Sequence, residues 1–289
     1  MYVITGASGH TGKVAAETLL AAGKKVRVIV RNAEKAKALA ARGAEVIVAE
    51  LHDEAALTKA FQGAEGVFLI SPPDLGATDF LNDRKKLTDG YARAVKAAKV
   101  PHAVLLSSVG SQHASGTGLI LTTHAAEVAL RESSVPSTFV RAAYFAENWG
   151  AAIEPAQKDG VLPSFIAASK KIPMVSALDI GRTIARVLGE GPRGVRVIEL
   201  SGPVDLSPND VAAALGRVLG RELKVAEGPL DAVVPTFTSF GMSQHIAGLF
   251  RDMYEGLANG KVAWEGRNTE AMRGTISIEE TFRALTGKQ

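Results

Sequence analysis

Three glycines, Gly6, Gly9 and Gly12, fall at every third position in Val3-Ile4-Thr5-Gly6-Ala7-Ser8-Gly9-His10-Thr11-Gly12. The run sits between a short apolar stretch that reads as a strand and a longer pattern that reads as a helix. In that setting Gly6 permits a tight turn and Gly9 lets the backbone approach a pyrophosphate. Gly12 lets the helix pack close to the strand. Free N–H groups at the helix start, together with its dipole, favour an anion there.

The residue that ends the second strand decides which nucleotide such a loop takes. An acid at that point binds a ribose 2′-hydroxyl. This chain instead carries Arg31 after Val26-Arg27-Val28-Ile29-Val30, followed by Asn32, with Lys35 and Lys37 close by. A guanidinium pairs with a 2′-phosphate that an acid would repel. NADPH is therefore expected in preference to NADH.

Further along, three side chains are candidates for chemistry on a bound substrate. Ser107, with Ser108, ends the fifth strand pattern, where hydroxyls lie near a substrate in such folds. His124 lies on the following helix, and histidine is the side-chain type suited to giving a proton near neutral pH. Tyr144 follows the next strand and is placed to hydrogen-bond a substrate. His113, in a Gly/Ser-rich loop, is a weaker candidate. The six histidines show no metal-ligand spacing, so no metal is expected. No G-x-S-x-G elbow and no G-x-x-x-x-G-K-[ST] loop occur. The chain has no cysteine, which excludes disulfides, thiolate metal sites and a cysteine nucleophile.

These residues need elements to place them. Short apolar runs at residues 2–5, 26–30, 45–49, 66–70 and 102–107 alternate with helical patterns at 11–22, 33–41, 54–61 and 84–98. The strands are continuous apolar runs, as expected when helices cover both faces of a parallel sheet. A helix at 121–132 and a strand at 137–141 continue the pattern. A helix at 177–188, a strand at 195–201 and a helix at 208–219, with Ser207 as N-cap, follow. The tail from Pro229 to Gln289 reads as largely helical, and its apolar stretch 237–254 as a packed helix. The fold class is α/β: a doubly wound parallel (Rossmann) sheet with a smaller, mostly helical C-terminal lobe. Residues 1–150 are expected to form the nucleotide-binding domain, with 175–202 returning to it. Residues 151–174 and 203–289 are expected to form a substrate-binding lobe.

Composition sets the outer bounds. The 289 residues are 46% hydrophobic and 22% charged, as in a globular protein with a real core. The net charge of +3 is spread along the chain, with no basic block of the kind that binds nucleic acid, so no nucleic-acid partner is expected. No stretch of about 18 apolar residues suggests a membrane span, and no signal peptide is read. A cytoplasmic location is expected, and a homodimer is one expectation for the assembly.

With these pieces in place, the chain resembles the NmrA-like group of atypical short-chain dehydrogenase/reductases, in which the G-x-x-G-x-x-G spacing recurs. Further matching pieces are residues 30–36, the region 50–53, Leu69-Ile70-Ser71-Pro72-Pro73 and Leu106-Ser107-Ser108. Val140-Arg141-Ala142-Ala143-Tyr144-Phe145-Ala146-Glu147-Asn148, Ile172-Pro173-Met174-Val175 leading to Asp179-Ile180-Gly181, and Glu199-Leu200-Ser201-Gly202-Pro203 extend the match along most of the chain. The resemblance implies that Gly6, Ser8, Gly9, His10, Thr11 and Gly12 seat the pyrophosphate. It places Arg31 and Asn32 at the 2′-phosphate end, and Leu51 and Asp53 beside the adenine. Ile70, Ser71 and Ser107 would line the ribose and nicotinamide, with Tyr144 and Phe145 flanking the nicotinamide. Glu50 stands where the family often has Asp.

Typical short-chain reductases use a Tyr-x-x-x-Lys pair on the helix after the fifth strand. Counting back from Glu127, the family's helix acid, puts Thr123 in the Lys place and Leu119 in the Tyr place. Ordinary alcohol and ketone chemistry is therefore not expected. A quinone needs less acid help, because its reduced oxygens are stabilised as phenolates. The expectation is an NADPH-dependent oxidoreductase passing hydride to a quinone or similar conjugated, hydrophobic acceptor. A non-catalytic NADP(H)-sensing regulator, and a tailoring enzyme on aromatic natural products, are the alternatives.

Overall fold

The computed structural model describes residues 1–74 and 76–288; Gln289, the end of the expected lobe, lies outside them. In chain order the first half runs β1 (Tyr2–Thr5), α1 (His10–Ala21), β2 (Val26–Val30), a 3-10 turn at Ala33–Ala36 and α2 (Lys37–Ala40). It continues with β3 (Glu45–Val48), α3 (Glu54–Phe61), β4 (Gly66–Leu69), α4 (Phe80–Ala97), β5 (Ala103–Ser108), α5 (Leu121–Glu132) and β6 (Ser137–Ala142). The second half holds β7 (Tyr144–Phe145), α6 (Ile153–Asp159), β8 (Val161–Ser164), β9 (Ile172–Val175), α7 (Ala177–Glu190) and β10 (Val195–Ser201). It ends with β11 (Asp205–Leu206), α8 (Pro208–Leu219), β12 (Lys224–Glu227), α9 (Val233–Ser239), α10 (Gln244–Asn259), β13 (Glu270–Arg273) and α11 (Ile278–Thr286).

Eight strands form one parallel sheet in the order β13-β10-β6-β5-β4-β1-β2-β3. The strand order reverses between β1 and β4, and doubly wound sheets bind ligands in the crevice at that point. Strand residues alternate between the two faces. Tyr2 and Ile4 pack with Leu19, Ile180 and Ile184 on the α1/α7 side. Val3 packs with Leu57, Leu87 and Leu130 on the α3/α4/α5 side. Gly181 brings α7 onto the first turn of α1, since a Cβ there would lie 2.5 Å from Val14 Cβ and 2.8 Å from the Thr11 carbonyl. The Asp179-Ile180-Gly181 piece thus braces the glycine loop from behind. Asp179 also accepts a hydrogen bond from the Ile276 N–H at 2.9 Å.

A third cluster, with Trp149, Leu162, Met174, Leu215, Tyr254 and Phe282, is the core of the lobe. The lobe is built on helices, but it also holds two small sheets, β11-β9-β7 and β12-β8. The tail departs from its helical expectation. Glu270-Ala271-Met272-Arg273 has no β-branched residue and no alternation, yet it is β13, the parallel edge strand beside β10. The expected helix at 237–254 is two helices, because the chain turns at Gly241 with φ +84° and restarts with Ser243 as the N-cap of α10. The helix expected from residue 84 starts one turn earlier, at Phe80.

Candidate cofactor and active site

The end of β1 is tied to the end of β4 by one side chain. The Thr5 hydroxyl donates to the Phe68 carbonyl at 2.9 Å and accepts the Ile70 N–H at 3.1 Å. That bond carries Ile70 against the glycine turn. Gly6 has φ +63°, and a Cβ on it would lie 2.5 Å from Ile70 Cγ2. A Cβ on Gly12 would lie 2.4 Å from the Gly6 carbonyl oxygen. The Gly9 N–H closes the turn onto that same carbonyl at 3.0 Å. Helix α1 then starts with Gly9 as N-cap, with no side-chain cap and no acid in its first turn. Its first N–H groups are left for an anion. Ser8, Gly9 and His10 are exposed at the mouth of the loop, while Thr11 and Gly12 are buried.

Arg31 is exposed at the end of β2, beside β1 in the sheet. Asn32 has a local task, as its side-chain oxygen accepts the Glu34 N–H at 2.9 Å and caps the 3-10 turn. Lys37 pairs with Glu34 at 2.5 Å. In the turn after β3, Leu51 packs on the core, and Asp53 caps α3 through the Ala56 N–H at 2.9 Å. Ser71, directly after Ile70, is half-buried, and its Oγ is buried with no hydrogen-bond partner among the described residues.

At the carboxyl ends of β5 and β6 the side chains form a buried polar network. Arg141 faces Ser107 across the β5–β6 ladder. It grips Glu127 on both oxygens, Nε to Oε1 at 2.8 Å and Nη2 to Oε2 at 2.7 Å. Its Nη1 donates to Glu265 at 2.6 Å. Burial works against the Arg141 charge, but Glu127, then Glu265, outweigh it and hold the guanidinium above its ordinary pKa. The Ser107 hydroxyl donates to Glu127 Oε1 at 2.6 Å. Ser111 lies 3.1 Å from Ser107 Oγ and 2.6 Å from Thr123 Oγ1. Thr123, in the place of the missing lysine, is thus spent on internal bonds, including one to the Ile120 carbonyl at 2.8 Å.

His124 is half-buried, with Nδ1 2.8 Å from the Ser111 carbonyl. A carbonyl only accepts, so Nδ1 carries the proton and Nε2 is the free ring nitrogen of the neutral imidazole. Tyr144 and Phe145 leave the large sheet and pair with β9. Tyr144 joins the lobe core, 6.1 Å from the Trp149 ring, while Phe145 packs on the sheet. Burial pushes the Tyr144 phenol well above its ordinary pKa. The neighbouring Tyr254 adds to this, and a bond with Asn148 opposes it. Both phenols are buried enough to stay protonated, since burial also raises Tyr254.

The crevice, the glycine cradle and the paired strand ends can be set beside known proteins. The NmrA-like family matches residues 2–279. The chain belongs to that family. Quinone oxidoreductase 2 of Escherichia coli (strain K12) is 29% identical over 293 residues, covering 99% of this chain and 98% of that protein. The NAD(P)H azoreductase of Xenophilus azovorans is 24% identical, over 88% of this chain and 86% of that protein. The crystal structure of the NADPH-dependent quinone oxidoreductase from Escherichia coli complexed with NADPH superposes with a TM-score of 0.83. Identity there is 28%, with 99% of this chain and 100% of that chain covered. A triphenylmethane reductase from Citrobacter sp. shares the fold, with a TM-score of 0.83 at 20% identity over 99% of each chain.

Several residues of this NmrA-like site escaped sequence reasoning. Ser111, Glu265 and Tyr254 reach their partners through tertiary contacts that no spacing announces. Arg141 did leave a signal. A charge inside the buried strand Ser137–Ala142 needs a partner, and Glu127 on the preceding helix was the acid available. Among the described residues, no group of three His, Asp or Glu side chains is placed to hold a metal ion. No helix among them is long and apolar enough to cross a membrane.

Proposed function

We propose that this protein is an NADPH-dependent oxidoreductase that reduces a quinone or a similar conjugated, aromatic acceptor. The observation that carries the reading is the cradle at the β1/β4 crevice. Gly6 and Gly12 leave no room for a side chain, and the first turn of α1 is uncapped. The residues present fit a dinucleotide. The glycine loop with Ser8, His10 and Thr11 would hold the pyrophosphate, and Arg31 the 2′-phosphate. Ser71 has a buried hydroxyl without a partner, and such groups are completed by a ligand or water. The likeness to quinone oxidoreductase 2 over the whole chain supports the acceptor class.

NADPH, when bound, supplies the hydride. The chain's own residues bind, orient and protonate. Tyr144 keeps its proton and donates a hydrogen bond to an acceptor carbonyl in the cleft between sheet and lobe. His124, with Nδ1 fixed on the Ser111 carbonyl, presents Nε2 for proton delivery when the ring is charged. Ser107 donates its hydroxyl to Glu127, so its role is to hold the strand end and to accept, not to give, a hydrogen bond. No Tyr-Lys pair is needed, because orientation supplies much of the barrier lowering for an electrophilic acceptor.

The test is NADPH consumption, followed by absorbance, against a panel of quinones and quinonoid dyes, after NADPH binding has been measured on the same protein. Steady turnover is expected. Tight NADPH binding without turnover on any acceptor would overturn the enzyme reading in favour of a nucleotide-sensing protein.

A further inference from the structure

Helix α4 carries three polar residues on one stripe, Arg84, Thr88 and Tyr91, at the i, i+4, i+7 spacing that stacks side chains along a helix face. All three are buried, and the outer two reach the same short segment after β4. The Tyr91 hydroxyl donates to the Ile70 carbonyl at 2.9 Å. Arg84 Nη1 donates to the Pro72 carbonyl at 2.7 Å. Thr88 between them bonds back to the Arg84 carbonyl at 3.0 Å, on its own helix.

Ile70 thereby has both backbone groups taken, its N–H by Thr5 at 3.1 Å and its carbonyl by Tyr91. Pro72 has no N–H, and its carbonyl is taken by Arg84. The residue between them is Ser71, whose buried Oγ has no partner among the described residues. The same guanidinium reaches the other side of the crevice, where Arg84 Nη2 lies 3.3 Å from His52 Nε2 in the turn after β3. Asp83 accepts from Arg84 Nε at 2.9 Å, and the guanidinium sits 5.8 Å from the Phe80 ring centroid. An arginine with 6% exposure is costly to bury unless it is paired in this way. An apolar side chain would pack α4 onto the sheet without that cost. What only the polar stripe supplies is a fixed course for residues 70–72.

We propose that Arg84 and Tyr91 are positioning residues for the dinucleotide: by holding the carbonyls on either side of Ser71 they present its hydroxyl to the cofactor. This inference rests on the reading of residues 6–12 and 70–71 as the NADP(H) seat. Arg84 also ties the loop after β4 to the turn after β3, the two segments that would flank a bound nucleotide. Neither residue touches the cofactor; each acts through the backbone it holds.

The experiment titrates NADP+ into the apo protein by calorimetry for the wild type, Tyr91→Phe, Arg84→Lys, Arg84→Met, Ser71→Ala and the double variant Tyr91→Phe with Ser71→Ala, with the melting temperature of each apo protein measured alongside. Tyr91→Phe removes one hydroxyl from an otherwise unchanged ring and is expected to weaken NADP+ about 5-fold, the effect of one hydrogen bond. Arg84→Met is expected to weaken it by roughly 10-fold or more, with Arg84→Lys restoring part of the loss because one donor remains. The loss falls on the KM for NADPH, with kcat within about 2-fold. Tyr91→Phe and Ser71→Ala should be non-additive, since both act through the same hydroxyl. Lower melting temperatures with unchanged NADP+ affinity would overturn the proposal and leave the stripe a purely structural one. Full additivity of Tyr91→Phe with Ser71→Ala would overturn it as well. If Arg84→Met does not fold, the isosteric Tyr91→Phe decides. Wild-type protein that binds no dinucleotide would overturn the cofactor reading and this inference with it, whereas wild-type binding with unaffected variants overturns this inference alone.

Discussion

Ser107 and Glu127 meet at 2.6 Å inside the protein, the serine hydroxyl donating to a carboxylate that Arg141 holds through two parallel bonds. The two residues come from adjoining elements, β5 and α5, and the arginine from β6. One ion pair therefore joins the ends of two core strands to the helix that carries Thr123 and His124. Replacing Glu127 with Gln removes the charge and leaves Arg141 with Glu265 alone. Breaking a buried pair costs about 3–5 kcal/mol when the remaining charge is stranded. With Glu265 still in place, a loss of about 2–3 kcal/mol is expected, or roughly 5 °C or more in melting temperature for a chain of this size. Ser107→Ala should cost only about 1 kcal/mol. Thermal unfolding of both variants checks this. Equal melting temperatures for Glu127→Gln and wild type would show that the pair does not hold the strand ends.

Arg31 stands at the 2′-phosphate end of the proposed cofactor seat. It is exposed and forms no salt bridge among the described residues, so its substitution has little to disturb in the fold. Arg31→Asp replaces a partner for the 2′-phosphate with a group that repels it. NADPH affinity should fall by about 100-fold, the worth of a charge-assisted bidentate contact turned repulsive, while NADH affinity holds or improves. Parallel titrations with the two nucleotides give the ratio. An unchanged ratio would remove Arg31 from the 2′-phosphate site.

How far the sequence reveals this site follows from what each part depends on. Gly6 and Gly12 were readable because the requirement is local, a turn and a close helix approach within seven residues. The central strands were readable because burial on both faces demands continuous apolar runs, as in Val3-Ile4 and Val28-Ile29-Val30. Glu270–Arg273 was not readable, because an edge strand needs apolar residues on one side at most, and this one is mostly exposed. The Arg84–Pro72 and Arg141–Glu265 contacts span 12 and 124 residues. Each is settled by how loops close over the sheet, which no periodicity records. The alternation of polar roles was hidden too. Asn32 and Asp53 read as ligand-facing residues, yet each has an oxygen committed to capping the backbone that follows it.

Tyr144 allows a sharper test of the chemistry. Its phenol stays protonated far above neutrality, because burial and Tyr254 both oppose the charged form. It can therefore donate a hydrogen bond, but it does not cycle its proton at neutral pH. Tyr144→Phe is expected to lower kcat/KM for a quinone by about 10-fold, the value of one buried hydrogen bond in the cleft. The shape of the pH profile between about pH 6 and 9 should stay unchanged, since no ionisation in that range is removed. His124→Gln should instead lower kcat by about 100-fold, in the range of a lost general acid. A pH limb that vanishes in Tyr144→Phe would contradict the assignment and make the phenol the proton carrier.

Acid stability follows from a residue far from the site. His102 precedes β5 and is fully buried. Its Nε2 lies 3.0 Å from the Thr138 hydroxyl, and its Nδ1 has no partner among the described residues. Burial first, then the charge of Arg196, lower its pKa to about 4, with Glu190 opposing. The unfolded chain binds a proton on this ring near pH 6.5, while the folded chain does not until about pH 4. Unfolding therefore takes up a proton throughout that window, and stability falls as the pH drops from 6.5 to 4, then levels. The contribution is fully present above pH 6.5, and its loss across the window amounts to at most about 3 kcal/mol. In His102→Gln the amide retains a bond to Thr138 and cannot titrate. Urea unfolding at pH 7.5, 6, 5 and 4.5 should show a shallower fall for this variant than for wild type. Parallel curves for the two proteins would mean that the ring is charged in the fold, or that other groups set the acid limit.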